Sequence, residues 1–201
     1  MMRKDQLVII GAGGHGRVVA DIAEQIGYEK ILFLDDRNAA GVAGKVESYV
    51  QYLETADFFV AIGNGEVREK FHKMLAESGV RPVCLIHPKA VVARNAVLGA
   101  GTAVMAGAVV NPGAVLGEGI IVNTCASVDH DCRMGDFVHV AVGAHVCGTV
   151  TVGDHTWIGA GATVINNVRV CGGCMIGAGA VVVKDIVQPG TYVGVPARRM
   201  K

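Results

Sequence analysis

Residues 116–157 read, in consecutive groups of six, LGEGII VNTCAS VDHDCR MGDFVH VAVGAH VCGTVT VGDHTW. The first position of each group is an aliphatic side chain, and this register holds without a slip from Ile86 to Val182. The second position is often Gly, and the fifth is usually small or apolar. A fixed short repeat through half of a chain predicts a solenoid, in which each repeat stacks on its neighbours.

The six-residue period predicts one flat wall and one corner per repeat. Alternate side chains of a strand point to the same side, so the fifth position of one group and the first of the next both point into a narrow core. Three walls close one coil, and successive coils stack about 4.8 Å apart through parallel ladder bonds. We therefore expect a left-handed parallel β-helix. Such a helix can be a scaffold alone, so a function has to be argued from the residues on its walls.

The residues before the repeat predict a small α/β domain. Apolar runs that predict strands, and apolar residues at helical spacing, alternate along this part of the chain. The predicted strands are 7–10, 31–34 and 58–62, and the predicted helices follow GAGGHG at 11–16, ending at Gly27, and cover 66–78. Strand, Gly-rich turn, helix and strand in this order are typical of one mononucleotide-binding half of a doubly wound fold. We expect a Rossmann-like domain over 1–82 and the β-helix, with a C-terminal tail, over 83–201.

The Gly-rich turn predicts a diphosphate site. Gly11, Gly13 and Gly16 fit G-x-G-x-x-G, in which backbone N–H groups approach a diphosphate at a helix N-terminus. Asp35 and Asp36 end the second predicted strand, where a carboxylate can accept hydrogen bonds from a ribose or a base. Taken alone the pattern indicates NAD. The domain is about half the size of a dinucleotide-binding domain, however, and a nucleotide-sugar carries the same diphosphate, so we favour the nucleotide-sugar.

Charge and hydropathy give no indication of a nucleic acid or a membrane as partner. The formal net charge is zero, which gives no indication of nucleic acid or an anionic membrane as partner. We find no charged-then-apolar leader and no apolar run long enough to span a bilayer, so we expect a cytoplasmic protein without membrane insertion.

The six cysteines are interpreted as reduced thiols in small positions. Cys171 and Cys174 form a C-x-x-C, which can indicate zinc or redox chemistry. The chain has no second C-x-x-C and no matching His pair, so the structural interpretation is favoured.

Six short motifs around the repeat carry a resemblance to a known family. GAGGHG, LDD, AIGN, IHP, VDHDC and GVPA, together with the hexapeptide repeat, resemble the PglD/NeuD-type family of sugar acetyltransferases over essentially the whole chain. The resemblance implies a homotrimer that transfers acetyl from acetyl-CoA to a hydroxyl or amine of a nucleotide-linked or acidic sugar. The chain looks most similar to members that acetylate the 4-amino group of a UDP-linked 4-amino-trideoxy sugar. This chemistry needs a base and an oxyanion donor but no metal.

The resemblance assigns three catalytic residues. His130 matches the family's general base, which accepts the proton of the attacking amine. Asp131 stands where the family has an acidic neighbour, usually Glu, which would orient the imidazole and raise its basicity. Gly148 follows His130 by eighteen residues, so its backbone N–H is expected one coil above, where it can stabilise the oxyanion.

Two further groups of positions are assigned to ligands. His139, Ala160 and Ala178 match positions that contact acetyl-CoA in the family. Gly13, Gly14 and His15 are expected at the diphosphate-sugar, Asp35 and Asp36 at the ribose or base, and Gly63 at the rim of the site. The two alanines fall on a different wall from His130, which favours active sites at the subunit interfaces of a trimer.

Three other functions stay open on sequence alone. One is O-acetylation of sialic acid or a related sugar, and another is N-acetylation of a GDP-linked 4-amino sugar. The third is a non-catalytic protein that binds NAD or another nucleotide, with the β-helix as its scaffold. The remaining histidines are interpreted as structural: His72 on a helix surface, His87 at the domain junction, and His145 and His155 at outer positions of the repeat.

Overall fold

The computed structural model describes residues 4–37 and 40–200. A parallel α/β unit precedes a three-walled parallel β-solenoid of the left-handed β-helix type, so the predicted fold is confirmed. Neither of the two α-helices within the described ranges has the length and hydropathy needed to cross a membrane.

The N-terminal unit is a four-stranded parallel sheet in the order β3-β2-β1-β4. Its strands are β1 Gln6–Ile10, β2 Lys30–Leu34, β3 Val42–Gly44 and β4 Ala56–Val60. Its helices are α1 Gly14–Gln25, a 3-10 helix Val46–Tyr52 and α2 Gly65–Glu77. β1, β2, β4 and α2 begin and end within two residues of the predicted bounds, and α1 ends two residues before Gly27, whereas β3 and the 3-10 helix were not predicted. Helix α2 starts at Gly65 because the side chain of Asn64 caps it, accepting a hydrogen bond from the Val67 N–H at 3.0 Å.

Two-residue strands build the three walls of the β-helix. The wall that carries the N-terminal unit, here named the covered wall, contains β5 Leu85–Ile86, β8 Ala103–Val104, β11 Ile121–Val122, β14 His139–Val140, β17 Trp157–Ile158, β20 Cys174–Ile176, β22 Gly190–Val193 and β23 Arg198–Arg199. The second wall contains β6 Val91–Val92, β9 Val109–Val110, β12 Ser127–Val128, β15 His145–Val146, β18 Thr163–Val164 and β21 Val181–Val182. The third wall contains β7 Val97–Leu98, β10 Val115–Leu116, β13 Arg133–Met134, β16 Thr151–Val152 and β19 Arg169–Val170.

Residues eighteen positions apart lie directly above one another. On the covered wall Val104 pairs with Val122, Val122 with Val140, and Val140 with Ile158. These first-position side chains are buried together with the small fifth-position ones, as the period predicted. Thr156 fits the same core because its hydroxyl donates to the Cys171 carbonyl at 3.1 Å. All six cysteines are free thiols.

The outward side chains of the first three strands of the covered wall are buried against the N-terminal unit. Leu85, Ala103 and Ile121 belong to one hydrophobic cluster with Leu7 and Ile9 of β1 and with the inner face of α1, whose residues are Val19, Ile22 and Ala23. The two units thus share a hydrophobic core at their junction. This shared core holds the α1-covered face of the N-terminal sheet against the coils.

The prediction that His72 lies on a helix surface is wrong. Its exposed fraction is 4%, and its ring makes an edge contact with Phe137 of the β-helix, with ring centroids 5.1 Å apart. On the other side of Phe137, His155 stacks at 5.5 Å and pairs with Glu69 of α2 at 3.3 Å. Helix α2 therefore packs against the sheet with one face and against corners of the β-helix with another. The helical spacing of apolar residues in the sequence predicts the contact of α2 with the sheet but not its contact with the β-helix.

Candidate active site

His130 lies at the exposed corner between β12 and β13. The corner is shaped by Asp129, whose Oδ1 accepts hydrogen bonds from the His130 N–H and from Asn111 Nδ2, each at 2.7 Å. Asn111 belongs to the preceding coil, so this bond also ties adjacent coils together. Asp131 adopts a left-handed φ of 57°, which turns the chain into the third wall.

The imidazole of His130 is oriented by its neighbour. Nδ1 of His130 lies 2.9 Å from Oδ2 of Asp131, and this hydrogen bond is the main cause that raises the pKa of His130. A carboxylate on Nδ1 selects the tautomer in which Nδ1 carries the proton, which leaves Nε2 as a proton acceptor.

Gly148 lies directly beside that free nitrogen. A Cβ placed on Gly148 would lie 2.5 Å from Nε2 of His130, so only glycine leaves room for the imidazole here. The Thr149 N–H donates to the His130 carbonyl at 2.9 Å and holds the two coils in register. Within the described ranges no residue accepts a hydrogen bond from the Gly148 N–H. A proton acceptor and a backbone N–H without a protein acceptor thus lie side by side, and these are the two groups that acyl transfer requires.

A cavity of about 380 Å³ lies at the carboxyl ends of β1, β2 and β4. It is lined by all six residues that were predicted to bind the nucleotide-sugar: Gly13, Gly14, His15, Asp35, Asp36 and Gly63. Gly13 is the N-cap of α1, so the first N–H groups of this helix point at the cavity. A side chain on Gly16 would collide with the Gly11 carbonyl, and the glycine therefore lets the helix start close to β1.

Asp35 differs from its prediction as a free acceptor for ribose or base. Its exposed fraction is 7%, and its two oxygens already accept hydrogen bonds from the Ala12 N–H and from the backbone N–H, Nε and Nη2 of Arg37. The Arg37 guanidinium is the main cause that holds the pKa of Asp35 well below its usual range. The carboxylate thus shapes the Gly-rich turn, while the exposed Asp36 retains an oxygen that takes no hydrogen bond from the described residues.

Arg37 was not identified from the sequence. Its guanidinium lies 3.5 Å from the position that a Cβ of Gly13 would occupy, beside the helix N-terminus. A guanidinium there can pair with a diphosphate that the N–H groups of α1 bind. An Arg directly after the LDD motif is the signal that could have revealed it.

His15 and His139 lie near one another at the junction and are both neutral at physiological pH. Burial is the main cause that lowers the pKa of His15 to about 4 and that of His139 to about 3. His139, with an exposed fraction of 6%, lies on the covered wall, where its Nε2 is 3.1 Å from Asn123 Nδ2 and its ring centroid is 4.1 Å from that of Trp157. Its predicted contact with acetyl-CoA stays a prediction.

Ala160 and Ala178 lie together, apart from His130. Both are exposed at the corner that follows the covered wall, and the Gly179 N–H donates to the Ala160 carbonyl at 2.9 Å. His130 and Gly148 occupy the corner that follows the second wall. In a single chain, therefore, the predicted acetyl-CoA positions and the predicted base lie on two different edges of the β-helix.

Across residues 4–37 and 40–200, no group of three or more His, Cys, Asp or Glu side chains is arranged to hold a metal ion. Cys171 and Cys174 lie with their Sγ atoms 3.6 Å apart, and burial is the main cause that raises the pKa of Cys174 to about 12. A thiol with this pKa is a poor metal ligand or nucleophile at neutral pH.

Comparison with known proteins identifies relatives of both units. The model of the PglD N-terminal domain family matches residues 6–75. The chain is 32% identical over 110 residues to a UDP-N-acetylbacillosamine N-acetyltransferase of Bacillus subtilis and 32% identical over 112 residues to a GDP-perosamine N-acetyltransferase of Escherichia coli O157:H7. These alignments cover 50% and 48% of this chain and about half of each relative, 51% and 49%.

Two solved structures match almost the whole chain. The acetyltransferase domain of PglB from Neisseria gonorrhoeae, also solved in complex with acetyl-CoA, is 42% identical with a TM-score of 0.94, and the match covers 98% of this chain and 100% of that domain. PerB from Caulobacter crescentus, solved with CoA and GDP-perosamine, is 37% identical with a TM-score of 0.93, covering 98% and 97%. Together with the hexapeptide β-helix, these matches show that the chain belongs to the PglD/NeuD-type family of sugar acetyltransferases.

Proposed function

We propose that the protein transfers acetyl from acetyl-CoA to the 4-amino group of a nucleotide-linked 4-amino-trideoxy sugar, with UDP as the first choice of nucleotide. The observation that carries this proposal is the arrangement at one corner of the β-helix. Nε2 of His130 is free, its Nδ1 is held by Asp131, and Gly148 presents a backbone N–H beside the imidazole.

The reaction follows from these groups. The amine attacks the thioester carbonyl while Nε2 of His130 accepts its proton, and the Gly148 N–H stabilises the oxyanion that forms. The tetrahedral intermediate then collapses, the C–S bond breaks, and the CoA thiolate leaves with the proton from His130. The products are an acetamide and the free thiol of CoA, so the reaction can be followed by thiol release.

We propose that the nucleotide part of the acceptor binds in the cavity lined by Gly13, Gly14, His15, Asp36 and Gly63. The N–H groups of α1 and the Arg37 guanidinium support a diphosphate there. The matched relatives act on UDP- and GDP-linked sugars, so the choice between uracil and guanine as the nucleobase is made by experiment.

We further propose a homotrimer that acts in the cytoplasm with its active sites at subunit interfaces. The separation of Ala160 and Ala178 from His130 supports this assembly, because a neighbouring chain would bring the two edges together across one cleft. Sedimentation at micromolar concentration should show a species of about three chains, and a stable, active monomer would exclude the arrangement.

The test of the activity is thiol release from acetyl-CoA with UDP- and GDP-linked 4-amino sugars and sialic acid as acceptors. We expect turnover with a 4-amino sugar and its loss when the amine is replaced by a hydroxyl. Turnover with sialic acid alone would instead indicate an O-acetyltransferase. Thermal stabilisation by NAD without turnover of any acceptor would indicate a binding protein.

A further inference from the structure

Arg68 links the two units of the molecule. Its exposed fraction is 0%, although it belongs to the first turns of α2. Nη1 donates to the carbonyls of Ile62 and Gly63 at 2.7 and 2.8 Å. Nε donates to the Gly119 carbonyl at 2.6 Å, and Nη2 donates to the Phe137 carbonyl at 2.7 Å.

The guanidinium is held without an opposite charge. In the part of the chain that the structure describes, Arg68 forms no ion pair with a carboxylate. Burial lowers the pKa of Arg68 to about 10, so the side chain is still a cation at neutral pH. A buried cation is tolerated only where its donors are satisfied, and here four of five N–H groups bind carbonyl oxygens. Because the guanidinium is planar and rigid, it requires these carbonyl oxygens at fixed positions.

The four carbonyl groups that accept hydrogen bonds from Arg68 belong to the two different units of the molecule. Ile62 and Gly63 line the nucleotide cavity. Gly119 and Phe137 are corner residues of successive coils, with left-handed φ angles of 61° and 57°. One side chain thus joins the rim of the cavity to two coils of the β-helix.

We propose that Arg68 is a positioning residue that fixes the nucleotide cavity relative to the β-helix, so that a bound acceptor sugar reaches the acetyl group in the productive geometry. This inference rests on the proposed function. Hydrophobic contacts along the covered wall hold the units together, but they are non-directional, whereas the guanidinium fork sets distance and angle.

The first test is the replacement Arg68→Met, which keeps the unbranched shape and removes both the charge and the donors. Arg68 itself lines neither the cavity nor the His130 corner, so dissociation constants for the nucleotide and for CoA should change by no more than about threefold. Turnover at saturating substrates should fall on the order of 10²-fold, because a displacement of about 1 Å between reacting groups costs this much. Arg68→Lys keeps the charge and some of the donors and should recover part of the turnover.

A matched control is Arg81→Met. Arg81 also bridges the two units, through an exposed ion pair with Glu118 at 3.4 Å, but it does not contact the cavity rim. An exposed pair of this kind contributes little, so this variant should keep near-normal turnover.

A second readout does not depend on catalysis. The single tryptophan, Trp157, lies between His139 and the cavity rim, with its ring 3.9 Å from the position that a Cβ of Gly63 would occupy. Its fluorescence emission should shift to the red in Arg68→Met and stay unchanged in Arg81→Met. If wild-type protein acetylates no amino sugar, the proposed function fails, and the emission still tests whether Arg68 holds the cavity rim against the β-helix.

Three results would overturn the inference. One is a folded Arg68→Met protein with turnover within about threefold of wild type and unchanged Trp157 emission. Another is a loss of nucleotide and CoA binding as large as the loss of turnover. The third is failure of both the Met and the Lys variants to fold, which would assign Arg68 to the stability of the fold alone.

Discussion

At the scale of single residues, the catalytic assignment depends on the surroundings of one imidazole. Nδ1 of His130 faces Asp131 and its Nε2 faces Gly148, while the first and fifth positions of each repeat fill the core. The side chain is exposed and touches no core residue, so its chemistry can be removed without disturbing the fold.

His130→Ala should therefore leave the assembly and the melting temperature unchanged and should lower turnover by on the order of 10²–10⁴-fold, the usual effect of a positioned general base. Steady-state thiol release with saturating substrates measures the change. Near-normal turnover would show that another group accepts the proton, and His139 would be tested next.

Asp131→Asn tests how the base is tuned. The hydrogen bond that His130 donates to Asp131 is the main cause that raises the pKa of His130, so its loss lowers that pKa. Because the neutral imidazole is the active form, activity falls as the pH drops through the His130 pKa, and the acid limb of the pH–rate profile should move to lower pH in the variant. The plateau rate should also fall, by less than in His130→Ala. An unmoved acid limb would contradict the assignment of that limb to His130.

Gly13→Val tests the nucleotide cavity. The Gly13 backbone, with φ of −78° and ψ of −168°, suits any residue, and a Cβ there meets only the end of the flexible Arg37 side chain, at 3.5 Å. The fold should tolerate valine, whereas its methyl groups would occupy the diphosphate position. Calorimetric titration should show weaker binding of the nucleotide-sugar and unchanged binding of CoA. Equal losses of both ligands would mean that the cavity and the CoA site are not separate.

At the scale of elements, the corner that carries His130 and Gly148 is made by stacking coils with a register of eighteen residues. The corresponding corner positions of the two neighbouring coils carry His130 and Asn166, so the backbone at this corner accepts a Cβ. At Gly148 it is the imidazole of the coil below, and not the backbone, that excludes a side chain.

Gly148→Ala should therefore displace the His130 imidazole and lower turnover by on the order of 10²-fold or more, the effect of losing a positioned base or oxyanion donor. The melting temperature should drop slightly, and the double variant with His130→Ala should restore it because the space is free again. A single variant with full activity would show that the imidazole occupies another position during the reaction.

At the scale of the whole molecule, the junction between the units contains neutral buried histidines. Burial is the main cause that lowers the pKa of His72 from 6.5 to about 4, with a further contribution from the nearby Arg68 cation. A histidine whose pKa is lowered in the folded state contributes its full stability to the fold above pH 6.5. This contribution is lost as the pH falls towards 4, because the unfolded chain binds the proton first.

At pH 5 the free energy of unfolding that is lost through the lowered pKa of His72 amounts to roughly 2 kcal/mol. Chemical denaturation at pH 7.5 and pH 5 should show that His72→Leu loses less stability on acidification than wild type does. His145→Gln is the matched control, since His145 is exposed on the second wall, away from the junction. An identical pH dependence of wild type and His72→Leu would contradict the burial of a neutral His72 at the junction.

The sequence alone determined the repeat, its core and the stacking of its coils. A hexapeptide period encodes contacts between adjacent coils, and each coil repeats the same geometry, so the position of Gly148 above His130 follows from counting. The Gly-rich turn likewise encodes its own shape, because Gly11 adopts a φ of 108° and Gly16 allows close packing. The cavity lined by Gly13, His15 and Gly63 was predicted for the same reason.

Only the tertiary structure decided how the two units meet. No local pattern distinguishes Arg68 or His72 from solvent-facing residues of an amphipathic helix, because the second face of α2 is buried by chain more than forty residues away. Asp35 was predicted as a ligand for the nucleotide, yet its oxygens bind Ala12 and Arg37, since a side chain's free partners depend on what folds around it. Periodicity specifies contacts between neighbouring repeats, whereas the junction depends on contacts of long sequence separation that no repeat encodes.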